Sequence, residues 1–540
     1  MTLLTVNEFL DLRRPDMAIN SAIGLLLLGS TSSSAVRLGL GPFASRVVRL
    51  GVGPYASASA PSQRVDVLIA GGGPAGLAAA TSLAAAGLAV TVVERRPNAA
   101  SFETQRAYLY LLDRRGQQWT DLYNQTAAVR DRGVSNDGYT ITRAYPDKRG
   151  AVTSVPELAV ESTRAAIWVP RTTLLDILSN AAAEAGADLR FGVTLESFER
   201  GSAVRVGGAV EDGICAVLGD GTRLAPRLVL GCDGLDSRVR ATLREWAVAD
   251  GGFPALFDPV KLPSPSSGLQ YKMLLVPSNF SVLNLSTSLV QPTPIQTESA
   301  SAYTVPSVTM ARNERLRLGL LPSRDASVPR TANVIKPASH AIWQLRTPEA
   351  LLDFLGRSFP QMEDIRELVS PEEAAAFVGS RAGRFPAPQY VRRVAASVGG
   401  TGFVLLGDAA HAFPPDLGQG VNSALEDVVV LIQTLQSSGA LPISAGAATR
   451  GQGAAGAASV DGGGLGLADD EALARALDKY QAERAPAAKA LAHIVQVRST
   501  RVASASLAAR HPNSCGRAAN LCRRSRHRAP DARSGPCAPG

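Results

Sequence analysis

The sequence predicts an α/β fold in which a Rossmann-type domain is interrupted along the chain by an inserted α+β domain. Residues 65–70 (VDVLIA) have the short, apolar, β-branched composition of a buried parallel strand. They run through a glycine-rich turn into an Ala/Leu-rich helical stretch, and a second apolar strand follows and ends in Glu94. Residues 402–411 (GFVLLGDAAH) resume this pattern after residues 250–385, where short β-rich stretches alternate with Pro/Ser turns before two helices.

The glycine turn after the first strand has the spacing of a dinucleotide site. Gly71 permits the tight turn, Gly73 lets the backbone approach a pyrophosphate, and Gly76 lets the helix lie close to the strand. The helix N-terminus presents unpaired N–H groups to the phosphates, and Glu94 can accept hydrogen bonds from a ribose 2′-OH. An acid there favours an unphosphorylated ribose, as in FAD or NAD. The residues predicted to contact the dinucleotide are Gly71, Gly73, Pro74, Ala75, Gly76, Glu94 and Arg95.

A second match to the same glycine spacing serves as an internal control. Residues 451–456 (GQGAAG) fit the pattern, but they lie in a Gly/Ala/Ser-rich run with no strand before them. Because the motif depends on a strand–turn–helix context, this second match is not expected to bind a nucleotide.

Composition and charge exclude several classes of protein. The chain of 540 residues has a net charge of +8, but its two termini carry the whole excess, so the basic character gives no support for nucleic-acid binding by the core. Five cysteines do not form a disulfide framework, and the sequence contains no cluster with metal-ligand spacing. The apolar residues 18–29 are too short to span a membrane. No transmembrane segment is therefore expected, and peripheral membrane contact stays open.

Residues 1–63 are interpreted as a leader and not as a domain. Serine and arginine ahead of a nucleotide-binding strand resemble an organellar transit peptide, whereas Glu8, Asp11 and Asp16 argue against one. A mis-assigned start codon is the alternative. The compartment stays open between an organelle (mitochondrion or chloroplast) and the cytoplasm.

Three separated segments carry the chemistry: the glycine turn 71–76, residues 231–240 (GCDGLDSRVR) and residues 407–422 (GDAAHAFPPDLGQGVN). Together they resemble the single-component FAD-dependent aromatic hydroxylases, the group A flavoprotein monooxygenases, over roughly residues 64–435. The third segment is the most specific of the three. The resemblance implies a discontinuous Rossmann-type FAD-binding domain with an inserted α+β substrate domain.

Within that group, the kynurenine 3-monooxygenases are most similar. Residues 106–116 (RAYLYLLDRRG) resemble that family's Arg-Ser-x-Asn-Leu-Ala-Leu-x-x-Arg-Gly element, although Leu109 replaces the Asn. The family's Met-Arg-x-Arg element, whose Arg grips the substrate carboxylate, is replaced here by residues 138–143 (GYTITR). The family's hydrophobic C-terminal anchor has no counterpart in the tail. These departures argue against kynurenine itself as the substrate.

The resemblance also implies roles for individual residues. Asp408 would hold a hydroxyl on the ribityl or pyrophosphate side of FAD, and the helix that starts near Gly418 would direct its positive end at the flavin pyrimidine. The backbone carbonyls of Pro414 and Pro415 would be positioned at the flavin face. Cofactor contacts are implied for Arg106, Arg171, Asp233, Asp408, Gly420, Val421 and Asn422, and catalytic positions beside the flavin for Pro414, Pro415, Gly418 and Gln419.

The implied reaction uses NAD(P)H and O₂ to hydroxylate a small aromatic substrate through a flavin C4a-hydroperoxide. No second Rossmann fingerprint exists, so NADPH and NADH both stay open as the transient donor, as does the oligomeric state. Two alternatives share the fold: a flavoprotein reductase of the geranylgeranyl-reductase type, and a non-catalytic flavin-binding protein. Structural roles are the alternative for Asp233 as a turn cap, His411 as a helix-start residue, Cys232 as a buried apolar residue, and Tyr480 with Arg484 as a packing pair.

The predicted domain organisation follows from these segments. The predicted parts are a disordered leader (1–63), the first part of the FAD-binding domain (64–249) with a substrate-domain hairpin near 138–163, the substrate domain (250–385), the second part of the FAD-binding domain (386–437), a low-complexity loop (438–467), C-terminal helices (468–500) and a disordered basic tail (501–540).

Overall fold

A computed structural model describes residues 49–50, 63–99, 108–137, 139–155, 164–206, 209–286, 291–308, 310–441 and 466–508. Several predictions fall outside these residues. They are the leader apart from Arg49, Leu50 and Gln63, the cofactor contact at Arg106, most of the loop predicted at 438–467, and the tail beyond residue 508.

The described residues form a mixed α/β structure. Its strands are β1 Arg49–Leu50, β2 Gln63–Ala70, β3 Val90–Glu94, β4 Leu109–Leu112, β5 Val134–Ser135, β6 Ile141–Ala144, β7 Ala151–Ser154, β8 Ile167–Pro170, β9 Asp188–Phe191, β10 Leu195–Val206, β11 Ala209–Leu218, β12 Arg223–Gly231, β13 Val260–Lys261, β14 Gln270–Val276, β15 Ser281–Asn284, β16 Thr293–Gln296, β17 Ala302–Pro306, β18 Arg317–Leu320, β19 Arg330–Lys336, β20 Gly383–Arg384, β21 Gln389–Tyr390, β22 Ala395–Val398, β23 Thr401–Leu405 and β24 His411–Ala412. Its α-helices are α1 Pro74–Ala85, α2 Arg114–Leu122, α3 Thr126–Arg132, α4 Arg171–Glu184, α5 Arg238–Ala249, α6 Pro348–Ser358, α7 Ile365–Leu368, α8 Pro371–Gly379, α9 Gly420–Ser437 and α10 Asp470–Ala508. Short 3₁₀ turns lie at Pro254–Leu256, Ala341–Gln344, Gly407–Ala409 and Pro415–Leu417.

The nucleotide-binding strands form one sheet in the order β1-β22-β23-β12-β2-β3-β9, with the β10–β11 hairpin attached through β11 to β12. Strand β12 lies parallel to both β2 and β23, so Gly231 is paired with Ala70 on one side and with Leu405 on the other. The carboxyl ends of three strands from distant parts of the chain therefore meet at one edge. This is the edge at which open α/β sheets bind their ligands.

Residues 250–385 contribute most strands of a second sheet. It has seven strands in the order β20-β14-β19-β18-β17-β6-β7, and helices α6 and α8 cover one of its faces. Strands β6 and β7 belong to it, so the hairpin predicted near residues 138–163 joins this substrate sheet. Residues 250–385 are not contiguous with that hairpin in sequence, and pairing between β6 and β17 unites them.

A small sheet links the two larger ones. Strand β4 pairs with β8, which pairs with β5, and the residues of this sheet were only loosely indicated by the sequence. Its Leu111 and Trp168 pack with Ile141, Ala302 and Leu321 of the substrate sheet. One face of the substrate sheet is thereby held against the nucleotide-binding region.

The C-terminal region differs from the prediction of a helix pair and a disordered tail after residue 500. A single helix, α10, runs from Asp470 to Ala508 with Pro486 inside it. The stretch contains no glycine, and three alanines flank Pro486, so helix propensity and packing outweigh the missing N–H of one proline. Among the described helices, none is both long and apolar enough to cross a membrane.

Candidate cofactor and active site

The three sequence motifs meet at the common sheet edge. A Cβ added to Gly71 would overlap the carbonyl oxygen of Cys232, and one added to Gly407 would lie 3.5 Å from the Cβ of Ala75. The first motif therefore touches both of the others, as strands β2, β12 and β23 require.

The glycine turn has the geometry that the sequence predicts. Gly71 has a positive φ of 103°, which L side chains rarely adopt, and a Cβ on Gly76 would overlap the carbonyl oxygen of Gly71. Nothing lies within 4 Å of a Cβ built on Gly73. Helix α1 begins at Pro74, and no side chain caps its N-terminus. Open space beside uncapped N–H groups is what a pyrophosphate needs.

Glu94 lies beside the turn, at the end of β3, and is almost fully buried. One carboxylate oxygen accepts from the N–H of Gly72 at 2.8 Å, and the other accepts from the backbone and Nε of Arg96. Burial alone would raise the pKa of Glu94, but the hydrogen bonds from Arg96 and Gly72 hold it below its usual value. Glu94 is thus ionised and fixed toward the turn, while the neighbouring Arg95 is exposed.

Asp233 has one oxygen in a structural role and one without. Its Oδ2 accepts from the N–H groups of Arg238 and Val239 at the start of α5, so the capping role holds for this atom. Its Oδ1 is buried and has no hydrogen-bond partner among the described residues. Burial raises the pKa of Asp233, although the hydrogen bonds oppose that shift. The contact predicted between Asp233 and the cofactor therefore depends on Oδ1.

Asp408 follows strand β23 at the same edge, within electrostatic range of Tyr110. Asp408 is accessible to solvent, yet the protein around it raises the pKa of its carboxyl by desolvation, which His411 opposes and Asp427 reinforces. Tyr110 is near enough for Arg171 and Asp408 to influence its pKa, which desolvation raises well above the usual value. The Asp408 carboxylate is therefore enclosed by protein and still reachable from solvent.

Arg171 is the first residue of α4 and is only 5% exposed. Its Nη1 is buried and has no hydrogen-bond partner among the described residues. A buried guanidinium is costly unless it is paired, so this orphaned atom indicates a position for an anionic or polar ligand group.

The start of α9 supports part of the predicted flavin contact. Helix α9 begins at Gly420 without a side-chain cap, so the N–H groups of Gly420, Val421 and Asn422 point out of the helix. The side chain of Asn422 has another role, because its Nδ2 donates to the carbonyls of Leu111 and Gly418 and its Oδ1 accepts from the N–H of Asp113. Asn422 can therefore contact a cofactor through its backbone and not through its amide.

Polar groups of the loop before α9 are used in hydrogen bonds within the protein. The carbonyl of Pro415 accepts from the N–H of Gly418, which has a left-handed φ of 61°. The side chain of Gln419 donates to Asp113 and accepts from Arg115. Of the two proline carbonyls predicted at the flavin face, that of Pro415 already accepts a hydrogen bond within the loop. The buried Pro414 is therefore the proline to test there.

A buried network behind this loop was missed by the sequence analysis, and Asp427 is at its centre. Asp427 is 1% exposed and accepts from the N–H of Gly407 at 2.8 Å, from Nε2 of His411 at 2.7 Å and from Nε of Arg484 at 2.8 Å. Burial would raise the pKa of Asp427, but His411 and Arg484 lower it below its usual value. The sequence did contain a signal for this buried acid, because the acidic pair 426–427 interrupts the apolar run 424–432.

The same network gives His411, Tyr480 and Arg484 definite roles. Arg484 also donates to Glu426 at 2.9 Å, and the hydroxyl of Tyr480 donates to the carbonyl of Leu405 at 3.3 Å. These contacts connect α10 to the end of β23 and to the segment that carries Asp408. Tyr480 and Arg484 are thus more than a packing pair, because both bond to other elements. His411 bonds to the buried carboxylate of Asp427 behind the loop.

The residues present fit a bound FAD. Open space beside Gly73, two uncapped helix N-termini, the orphaned Nη1 of Arg171 and the accessible carboxylate of Asp408 line one edge of the sheet. Among the described residues, no group of histidine, cysteine or acidic side chains could hold a metal ion.

Comparison with known proteins gives the family. The profile described as "FAD binding domain" matches residues 64–315 and 362–438. A kynurenine 3-monooxygenase of Salinispora arenicola is 28% identical over 386 residues, which cover 69% of this chain and 73% of that protein. An aurachin C monooxygenase/isomerase of Stigmatella aurantiaca is 26% identical over 388 residues, which cover 70% of this chain and 82% of that protein.

The fold comparison agrees. A crystal structure of 2-methyl-3-hydroxypyridine-5-carboxylic acid oxygenase matches with a TM-score of 0.50 at 19% identity, covering 82% of this chain and 92% of that one. The kynurenine 3-monooxygenase and the aurachin C monooxygenase/isomerase do not favour the reductase or non-catalytic alternatives, since both are named as monooxygenases. Because the profile covers more than half of the chain, this protein belongs to the FAD binding domain family and is an FAD-dependent monooxygenase.

Proposed function

We propose that the protein hydroxylates a small aromatic substrate with O₂ and a reduced nicotinamide cofactor, in the manner of the kynurenine 3-monooxygenases. The main support is the similarity to a kynurenine 3-monooxygenase over 386 residues, most of the length of both proteins. The edge that fits FAD also lies next to a second sheet, so an aromatic ring could be enclosed between flavin and protein.

The proposed reaction replaces one ring C–H by C–OH. One oxygen atom of O₂ enters the ring, and the other leaves as water. The two electrons and one of the two protons consumed come from NAD(P)H as a hydride, the second proton comes from solvent, and NAD(P)⁺ is released. FAD, when bound, carries the electrons from the nicotinamide to O₂. The protein's own contribution is to bind, orient and exclude water.

Four groups of the chain would do this. The N-terminus of α1 would hold the pyrophosphate, and Asp408 and Arg171 would fix the middle of the cofactor. The N-terminus of α9 would stabilise negative charge on the flavin ring. The substrate sheet would keep bulk water away from the ring.

The test is NAD(P)H oxidation by the full-length, FAD-loaded protein with and without L-kynurenine, followed by the mass of the product. NADPH and NADH are supplied in separate reactions. Faster oxidation on adding kynurenine, with a product one oxygen heavier, would support both the reaction and the substrate. Oxidation that is indifferent to kynurenine would discard that substrate. If a panel of phenols and aromatic amines also failed to accelerate oxidation, aromatic hydroxylation itself would be wrong.

A further inference from the structure

The two faces of the seven-stranded substrate sheet differ in chemistry. On the face covered by α6 and α8, apolar residues such as Leu274, Ala332 and Tyr303 form one core. Side chains alternate along a strand, so their neighbours point to the other face. The pairing register places one row across six strands on that other face: Met273, Asn333, Gly319, Thr304, Arg143 and Val152.

This second face turns toward the cofactor edge. Ile141, Ala302 and Leu321 lie on it and pack against Leu111 of β4. The carbonyl of Leu111 accepts from Asn422 at the start of α9. The preceding residue of β4 is Tyr110, which lies within electrostatic range of Asp408 and Arg171. The row is thus on the face that looks toward the predicted flavin site.

Asn333 stands out within the row because it is buried without a partner. It is 9% exposed, and its Oδ1 makes no hydrogen bond within the described part of the chain. Gln117 and Gln361 also have an unpaired oxygen, but each is held by two hydrogen bonds from Nε2 to backbone carbonyls. No such bond to a described residue holds the amide of Asn333.

A polar group that is buried and unpaired destabilises the folded protein, so its retention points to a ligand. The neighbours of Asn333 in the row favour this interpretation. Gly319 has no side chain that could bond to the amide, and the next residue across is the buried Thr304. The residue after Thr304 in the row is Arg143, whose positive charge disfavours a cationic ligand group beside it.

We propose that Asn333 determines substrate specificity by accepting a hydrogen bond from a hydroxyl or neutral amine on the substrate's aromatic ring. The inference rests on the proposed function and adds the substrate class. An unfilled amide oxygen takes a hydrogen-bond donor. A ring that bears such a donor is also electron-rich, which suits the transfer of an oxygen atom to it. The apolar cluster that contains Ile141, Ala302 and Leu111 adjoins the row.

The test uses two matched pairs of compounds with the full-length, FAD-loaded protein. L-kynurenine is compared with its analogue that lacks the ring amine, and 2-hydroxybenzoate with 2-methoxybenzoate. Dissociation constants come from isothermal titration calorimetry, and the stimulation of NAD(P)H oxidation is measured in parallel. The variants are Asn333→Leu and Asn333→Ala. Thr331→Val, on the same strand and face two residues away, is the control.

For the wild-type protein and the Thr331→Val control, the compound with the donor should bind at least tenfold more tightly than its partner in one pair or both. Both Asn333 variants should lose that preference, since a hydrogen bond that satisfies a buried group is worth about a tenfold to hundredfold change in Kd. They should retain FAD and melt no lower than the wild type, because Asn333 makes no hydrogen bond that the substitution would break. A purely structural residue would instead lower the melting temperature.

Other outcomes separate this inference from the proposed function. If compounds with and without the donor stimulate oxidation equally, and Asn333→Leu changes nothing, hydroxylation stands and the role of Asn333 is wrong. If none of the four compounds binds to the wild-type protein, the role of Asn333 is overturned, because both kinds of donor have been offered. If FAD binds but no aromatic compound in the wider panel stimulates oxidation, the proposed function fails first.

Discussion

Two arginines in the cofactor-binding region are equally buried but differ in their surroundings. Arg484 and Arg171 are each 5% exposed. Arg484 donates to Asp427 and Glu426, and the electrostatic attraction of these carboxylates, with the nearby Tyr480, raises its pKa although burial opposes the shift. Arg171 has a buried Nη1 with no partner among the described residues. The first guanidinium is satisfied by the protein, and the second is not.

The difference separates groups that maintain the fold from groups that await a ligand. Removing a satisfied group should lower stability, because its partner is left buried and unpaired. Removing an unsatisfied group should leave stability unchanged or raise it, and should weaken the ligand instead. Asn333 in the substrate sheet belongs with Arg171 by this criterion. The predictions below test whether the separation holds.

The largest effect is expected at the glycine turn. Gly76, which the fold needs, and Gly73, which faces the space predicted for the ligand, lie three residues apart there. Gly76→Ala places a Cβ onto the carbonyl oxygen of Gly71, so the helix must move away from its strand and about 4 kcal/mol or more of stability should be lost. Gly73→Ala meets no atom within 4 Å and should change stability by at most about 0.5 kcal/mol. Thermal unfolding of the apo-protein measures both variants.

FAD titration completes the comparison between these two glycines. Gly73→Ala should weaken FAD binding even though it folds normally, since the added methyl group fills the space predicted for the pyrophosphate. An apo-protein with Gly76→Ala that melts like the wild type would contradict the close contact between helix and strand. FAD affinity that is unchanged in Gly73→Ala would contradict the position of the phosphates.

Sequence alone predicted the residues whose role is set by local backbone geometry. The turn at Gly71, the helix that follows it and the strand that ends in Glu94 are short-range features, and the structure has each of them. Asp427 was missed because its partners His411 and Arg484 are 16 and 57 residues away. Asn333 was missed because only strand register shows that it shares a face with Thr304.

The same limit applies to the role of individual side chains. Asn422 was predicted to contact the cofactor, and its uncapped backbone N–H stays available for that contact, but its side chain bonds to β4, a strand more than 300 residues earlier in the chain. Two C-terminal helices were predicted within residues 468–500, whereas a single helix, α10, continues through Pro486 and packs against the sheet. In both cases, contacts with distant parts of the chain contributed what the local sequence pattern does not show.

The next largest effect is expected for Arg484→Met, which breaks the satisfied pair. The variant leaves the buried carboxylate of Asp427 with only His411 and the N–H of Gly407 as partners, so about 3–5 kcal/mol of stability should be lost at neutral pH. Denaturant unfolding measures the loss. Arg475→Met, which removes an exposed ion pair with Glu471 on the same helix, is the matched control and should cost under about 1 kcal/mol.

The pH dependence of this loss gives a second check. In the wild type, the pKa of Asp427 lies below its usual value of 3.8, so its favourable contribution is present above that pH and is lost as the pH falls through the lowered pKa. In Arg484→Met, burial raises the pKa of Asp427 relative to the wild type, and protonation relieves the stranded charge. The stability difference between the two proteins should therefore narrow as the pH falls toward 3.8 and below. A difference that is constant with pH would mean that Arg484 acts by packing alone.

The smallest effect on stability is expected for Arg171→Met, which removes the unsatisfied guanidinium and keeps the length of the side chain. The apo-protein should unfold at the same denaturant concentration as the wild type or a higher one, because no described partner loses a hydrogen bond to Nη1. FAD affinity should fall by about tenfold to hundredfold, the worth of a charge-assisted hydrogen bond. Fluorescence titration of the apo-protein with FAD measures it. A variant that loses stability as Arg484→Met does, and binds FAD normally, would place both arginines in the fold and remove the distinction between them.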